Sequence, residues 1–575
     1  MTLDDEPDDA EVARRWTAGA VFMLAVAAPL LLAPSSVPDA VFYNQAAAAL
    51  GWGAVLAGAW WPRPARPSLA VSWYGIWPVL AALGGLALVA LGSQAAAACV
   101  LAAALVVVAA SQAVGQSDEP LLAMGHAWWI AGGLSAVIAA VQYFAPSLAD
   151  GWLVAASGTA GRAVGNMRQP NHLATALLCA IVWTAWLWRV GRLRPWLAGG
   201  SITAMVFAVA LSASRTGALS LSVLLAWAVV DRSLPRAARR VLAFTPLAYL
   251  VFWALLAAWA QFASQHFYAA DRLQSSADIS SSRFAIWKNA AVLIAQNPWT
   301  GVGWGNFNFA WTFTPFPDRP VAFFDHTHNL PLQLAVEIGV PATLAVLGLV
   351  GWALWRARGA WASRQAMDAQ HPGRAAFVML VVLGVHSLLE YPLWYAYFLL
   401  PAAWAMGLFI GSAPRRSAGD ALSVWPPRLM QAAAALMIIG ALYAAWDHRR
   451  IEVIFSPPAD AAPLAERIER GQRSLLFGHH ADYAAVTTPP RDQRLATFHR
   501  PVHQLVDVRL LIATIEALKA NGRDAEALYA AQRLREFRRP DAQAYFKNCD
   551  TPEPPWQCNT QSVPLTWRDI DRVLR

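Results

Sequence analysis

The chain has 575 residues, 57% of them hydrophobic and only 14% charged, and a formal net charge of +8. A soluble protein of this size carries about 25% charged residues, so the composition excludes an ordinary soluble enzyme. The sequence pI of 9.5 would suit nucleic acid, but the arginines sit in short gaps between apolar blocks, which is a membrane topology signal and excludes that partner.

The opening stretch, MTLDDEPDDAEVARRW (1–16), is acidic and polar. No small-residue cleavage site closes the first apolar block, so no cleavable signal peptide is expected and 1–16 is read as a cytoplasmic tail. About 13 blocks then reach spanning length, roughly 20 residues. They lie at 17–33, 41–61, 76–92, 95–113, 123–145, 172–189, 196–213, 216–231, 240–262, 330–355, 375–393, 395–412 and 428–446. The blocks at 76–92 and 95–113 are rich in Ala and Gly and admit a single re-entrant hairpin. The expected fold is therefore an all-α polytopic membrane protein of about 12–13 transmembrane helices.

Arg14 and Arg15 precede the first span, and further arginines follow alternate spans: Arg63 and Arg66; Arg189, Arg192 and Arg194; Arg232, Arg236, Arg239 and Arg240; Arg356, Arg358, Arg364 and Arg374; Arg415 and Arg416. All fall on one side if the amino terminus is cytoplasmic. The transmembrane domain is then 17–447, and the segments 146–171 and 263–329, with the tail 448–575, are periplasmic. Cys99 and Cys179 lie in apolar blocks and are expected to be inert packing residues. Cys549 and Cys558 bracket a polar stretch of the tail and are expected to pair in an oxidising compartment. In the tail, VRLLIATIEALKANGRDAEALYAAQRLREF (508–537) reads as two amphipathic helices meeting at Asn521-Gly522, like one tetratricopeptide unit, in a small helical periplasmic domain.

Three spans run inward from the periplasmic face, each led by a polar motif: RQPNHLA (168–174), SASRTGALS (212–220) and DHTHNLPLQLAVEIG (325–339). Asn171, Thr216 and Asn329 are the expected N-caps. Helix N-termini attract anions through their N–H groups and positive dipole ends. Arg215 stands beside one of them, and Arg283 lies in the amphipathic stretch SSRFAIWKNA. Each is either a solvated or snorkelling arginine or a phosphate ligand, since guanidinium offers parallel donors and stays charged. His326 and His328, beside Asp325, leave three readings open: a metal pair, a helix cap, or a general base titrating near neutrality. His386 and Glu390, in HSLLEYPLWY (386–395), are read as an i, i+4 pair on one helix face. They either satisfy each other or serve a substrate site, and Tyr391 and Trp394 are substrate-site or interfacial aromatics. Trp304, in GVGWGNF, is a sugar-stacking or interfacial tryptophan.

The motifs RQPNHLA, SRTG, SSR…W and HTHN…EIG, in this order over 160–412, resemble the bacterial O-antigen ligase and polymerase superfamily. Within it the chain is most similar to PglL-type protein O-oligosaccharyltransferases. The resemblance implies a GT-C-like membrane glycosyltransferase. It would transfer a glycan from undecaprenyl pyrophosphate to Ser or Thr hydroxyls of a pilin-like or other exported protein, with inversion and with no metal or other cofactor. It further implies that Arg215 and Arg283 hold the pyrophosphate and that His328 is the base, with His326 the lesser candidate. Gln169, Asn171 and His172 of RQPNHLA, Asn329, Glu390 and Tyr391 would shape the donor or acceptor site. Lipid A–core as acceptor (a ligase) or another repeat unit (a polymerase) are the neighbouring alternatives. A transporter of lipid-linked sugars, which would need broken helices and ionisable residues at the midplane, and a metal-dependent hydrolase using His326 and His328 are the rivals from other classes.

Overall fold

Within a bilayer every backbone N–H and C=O must be satisfied inside its own segment, so apolar blocks of spanning length fold as helices. The computed structural model describes residues 9–59, 70–114, 118–263, 266–270, 279–317, 319–320, 323–362, 372–413, 422–424 and 427–575. Arg63, Arg66, Arg364, Arg415 and Arg416, part of the topology reading, lie outside them. Among the described residues six helices are long and apolar enough to cross a membrane: Ala95–Gln112, Asp118–Phe144, Pro170–Arg189, Arg236–Phe262, Val340–Trp361 and Arg428–Phe455. Six shorter apolar helices accompany them. The protein is a multi-pass helical membrane protein. The blocks at 76–92 and 95–113 form two separate helices, Trp73–Leu91 and Ala95–Val114, the second among the six candidate spans and the first among the shorter apolar helices. A short antiparallel ribbon pairs Ala70–Ser72 with Leu422–Val424.

The described residues fall into two compact units. The first comprises 1–88, 97–275 and 348–445. Its centre is the Pro170–Arg189 helix, 94% of whose apolar window is buried, as expected of a helix that is hydrophobic all round. It packs against Asp118–Phe144, Pro195–Leu211, Arg215–Val230 and Gly373–Ser387. Small residues permit the close approach: a Cβ added at Gly217 would come within 2.6 Å of the Ala174 Cβ. At the far end of Arg215–Val230, Arg239 Nε donates to Ala228 O (2.7 Å), and Arg374 forms a buried ion pair with Asp231. Cys179 is buried here, whereas Cys99 is exposed on its helix and is not a packing residue.

The second unit comprises 89–96, 276–347 and 446–575. The helices Val508–Ala520 and Asp524–Glu536 are joined across Gly522, whose φ of +72° suits the helix stop. One such pair cannot bury its own core. Its partners are the Ile279–Gln296 and Phe307–Phe313 helices, with Ile286, Leu293, Phe307 and Trp311 in one cluster with Leu511, Ile515, Phe537 and Ile570. Arg319 fastens this core: its buried guanidinium donates to Trp311 O (2.7 Å), Thr314 O (2.6 Å) and Glu536 Oε2 (3.0 Å). A buried cation is tolerated only when its donors are used in this way. Cys549 and Cys558 are disulfide-bonded, with Cα atoms 5.4 Å apart.

The expected span at 330–355 is broken. Leu330–Ile338 ends at Gly339, and a second helix starts at Val340. Gly339 has φ +81°, and a Cβ there would lie 2.3 Å from Trp299 O, so a turn is forced and only glycine fits.

Candidate active site

Three non-glycine residues among those described have positive φ: Arg168 (55°), Ala213 (50°) and His328 (55°). Each directly precedes a helix N-cap, respectively Gln169, Ser214 and Asn329. The left-handed conformation costs roughly 1–2 kcal/mol for an L-residue, and such outliers cluster at functional sites. The three motifs singled out in the sequence are therefore also the three places where, among the described residues, a non-glycine backbone is left-handed.

In the first unit, Gln169 is the cap of Pro170–Arg189, its side chain accepting from the backbone N–H groups of Asn171 and His172. Asn171 is not a cap. It is a bridge: its Nδ2 donates to Glu390 Oε1 (3.0 Å), and its Oδ1 accepts from Ser214 Oγ (2.6 Å). Ser214 in turn caps Arg215–Val230, its Oγ accepting from Gly217 N (3.0 Å), so the expected cap at Thr216 is displaced by two residues. Two helix N-termini and one carboxylate are thus joined through a single amide. Proline at the first helical position marks Gln169 as the cap, and Ser214 was the cap signal that sequence reading passed over.

Arg215 is exposed at the first position of its helix. A cation there opposes the positive end of the dipole, where a carboxylate would stabilise by about 0.3–1 kcal/mol. The placement costs stability and concentrates positive potential, which is the property an anion site needs.

Glu390 is buried, but it does not share a helix face with His386, because Gly373–Ser387 ends before it. The i, i+4 reading fails for that reason: His386 Nδ1 meets Thr175 Oγ1 (2.8 Å), and Glu390 meets Asn171. His172 is buried with Nδ1 2.9 Å from Tyr397 Oη and its ring 4.5 Å from that of Tyr395. Tyr391 is half-buried, with its ring 5.8 Å from that of Tyr395.

The second unit holds the histidine motif. The carboxylate of Asp325 can only accept, so His326 donates to it through Nδ1. When His326 is neutral its Nε2 is the acceptor toward His328 Nδ1, 3.3 Å away, and the lone pair of His328 is then on Nε2. Desolvation opposes charge on Asp325, yet the His326 ring holds the carboxyl below its usual range. Asn329 caps Leu330–Ile338, accepting from Leu332 N (3.0 Å). Thr327, between the histidines, is clamped: its N–H donates to Gln333 Oε1 (2.7 Å), and its carbonyl accepts from Trp287 Nε1 (2.8 Å). Trp287 is one turn along Ile279–Gln296 from the half-buried Arg283, on the same face. Sequence reading missed this clamp, although tryptophan four residues after the arginine was its visible signal. Trp304 also has a structural use, its Nε1 donating to Gln94 Oε1 (3.1 Å).

Comparison with known proteins fits these motifs. The O-antigen ligase family model matches residues 200–347, which hold Arg215, Arg283 and His328. A protein glycosylation ligase model matches 163–188, over RQPNHLA, and a virulence factor membrane-bound polymerase C-terminal model matches 374–547. A general O-oligosaccharyltransferase of Acinetobacter baylyi is 27% identical over 267 residues, 45% of this chain and 45% of the relative. A ComP-specific O-oligosaccharyltransferase of the same organism is 26% identical over 254 residues, 43% of this chain and 44% of the relative. The chain therefore spans less than half the length of these curated relatives. Residues 200–347 are thus similar to the O-antigen ligase family, and 163–188, ahead of them, to a protein glycosylation ligase segment.

Proposed function

We infer that the protein is an inner-membrane O-oligosaccharyltransferase, with its amino terminus cytoplasmic and its site and tail periplasmic. It transfers a glycan from undecaprenyl pyrophosphate to Ser or Thr hydroxyls of exported proteins. The observation that carries this reading is the Asp325–His326–His328 chain, which fixes the tautomer of an imidazole held in a strained backbone next to a helix cap. His328 Nε2 takes the hydroxyl proton as the acceptor oxygen attacks the anomeric carbon. The new C–O bond forms on the face opposite the leaving group, giving inversion. The bond from the anomeric carbon to the phosphate oxygen breaks, and the pyrophosphate departs with the electron pair. Arg215 and Arg283 bind its oxygens, stabilising the charge as it develops. Gln169, Asn171 and Glu390 hold the helix N-termini, and His172, Tyr391 and Asn329 line the substrate region. No metal takes part in these steps, so a chelator added at the start of an assay leaves the rate unchanged.

The match to a polymerase C-terminal region supports a second reading, in which the acceptor is another repeat unit or lipid A–core. Mass spectrometry decides between them. Cells are given this chain, a lipid-linked glycan and a pilin-like acceptor. Glycan on serine or threonine of the acceptor supports the first reading, and glycan found solely on lipopolysaccharide rejects it. Full product formation by His328→Ala would instead favour transport of lipid-linked sugars or a purely structural role for the histidine.

A further inference from the structure

The second unit contains a side-chain cluster that the transfer reaction does not use. His499 and His503 are four residues apart at the end of the Leu495–Val502 helix, so they share a face, with ring centroids 4.7 Å apart. Asp571 meets them from the Trp567–Leu574 helix: one ring nitrogen of each histidine and one carboxylate oxygen all lie within 4.8 Å of one another. Two imidazoles one turn apart and a carboxylate from a second helix form a three-ligand donor set for a divalent metal.

The orientation of His503 sharpens the point. Its Nδ1 is 2.7 Å from Asn306 Oδ1, and its Nε2 is 3.0 Å from Asp571 Oδ1. The Asn306 amide is fixed this way round because its Nδ2 donates to Val302 O (3.3 Å). Both partners of His503 are therefore acceptors, while a neutral imidazole has one N–H. With that N–H on Nδ1, a lone pair on Nε2 faces a carboxylate oxygen, a contact that becomes favourable once a cation is shared between them. The Nδ1–H···O bond to Asn306 is the outer-shell support that metal-bound histidines ordinarily have. His499 Nδ1 is buried and has no hydrogen-bond partner among the described residues. Arg575 also pairs with Asp571: its Nη2 is 3.0 Å from Oδ2, and its Nε is 3.1 Å from Oδ2 and 3.2 Å from the Oδ1 that faces His503.

We propose that His499, His503 and Asp571 bind one divalent transition-metal ion of the zinc class, with water completing the coordination. Imidazole ligands select zinc, cobalt, nickel or copper over magnesium and calcium. The ion ties Trp567–Leu574 to Leu495–Val502, and through Trp567, Ile570 and Leu574 it secures that helix in the core. The site is structural and separate from the histidine motif at 325–329.

The test uses the full chain in detergent, without a histidine tag, stripped with chelator and desalted. A His326→Ala/His328→Ala background removes the histidine pair of the 325–329 motif. Calorimetric titration with Zn2+ is expected to show one equivalent bound, Mg2+ none, and Co2+ the visible bands of a low-coordinate nitrogen–oxygen site. Zinc is expected to raise Tm, because a ligand of the native state stabilises it by mass action. His499→Ala, which leaves the His503–Asn306 bond intact, and Asp571→Asn are each expected to lose the bound equivalent and the Tm shift. Absence of the Co2+ bands and of zinc binding in the parent chain overturns the proposal. So does an equal zinc stoichiometry in His499→Ala.

Discussion

At the residue scale, the three left-handed residues ahead of the caps are the clearest mark of function, and no composition or periodicity announces them. The motifs themselves were legible: Arg215, Arg283 and His328 could be singled out from guanidinium and imidazole chemistry beside helix starts. Their hydrogen-bond partners were not, because Asn171–Ser214 and Asn171–Glu390 join residues 43 and 219 positions apart. A conformation retained at a cost is a testable sign of use. His328→Gly should relieve the strain, leaving thermal stability equal or higher by about 1 kcal/mol. Its transfer rate should fall by about 10²–10⁴-fold. A melting curve and a transfer assay on the same preparation check this, and a Gly variant that is active contradicts it. Asp325→Asn should lower kcat by about 10-fold or more with little change in KM, since the His326 tautomer is no longer imposed. Asn171→Ala removes both of that amide's hydrogen bonds, the one to the buried Glu390 carboxylate included, so a loss of roughly 1–3 kcal/mol is expected in a denaturation experiment.

At the scale of elements, apolar blocks of spanning length identified the membrane helices because the bilayer leaves the backbone no other solution. Helix boundaries were harder. Proline after Gln169 and serine before Arg215 were the signals for the true caps, and the assignments to Asn171 and Thr216 passed over both. The break at Gly339 was written in EIGVP: glycine supplies the positive φ, and Pro341 sits in the first turn of the next helix. Gly339→Ala should therefore destabilise by more than 1 kcal/mol, read as a lower Tm, since both the backbone and Trp299 O oppose a Cβ. Burial with Arg500 nearby lowers the pKa of His479 to about 4, and burial with His479 nearby lowers that of His480 to about 3. Both are neutral in the fold at pH 7. The unfolded chain takes up these protons below about pH 6.5. Their contribution is thus complete above that pH and is lost as the pH falls toward 4. The Tm of the full chain should drop across this window, and His480→Gln should flatten the slope. An unchanged slope in that variant contradicts the assignment.

For the whole molecule, the protein is a multi-pass helical membrane protein whose residues 200–347 match the O-antigen ligase family, and the chemistry proposed for it is the attack of a hydroxyl on a lipid-linked glycan. The most direct measurement is transfer by the purified chain in detergent, with a lipid-pyrophosphate-linked glycan and a serine-bearing pilin-like acceptor, followed by intact mass. A mass increase of one glycan on the acceptor is expected with the wild-type chain, and a near-complete loss with Arg215→Ala, Arg283→Ala or His328→Ala, each variant first checked for an unchanged melting curve. Full glycan transfer by the folded His328→Ala and Arg215→Ala variants would contradict it.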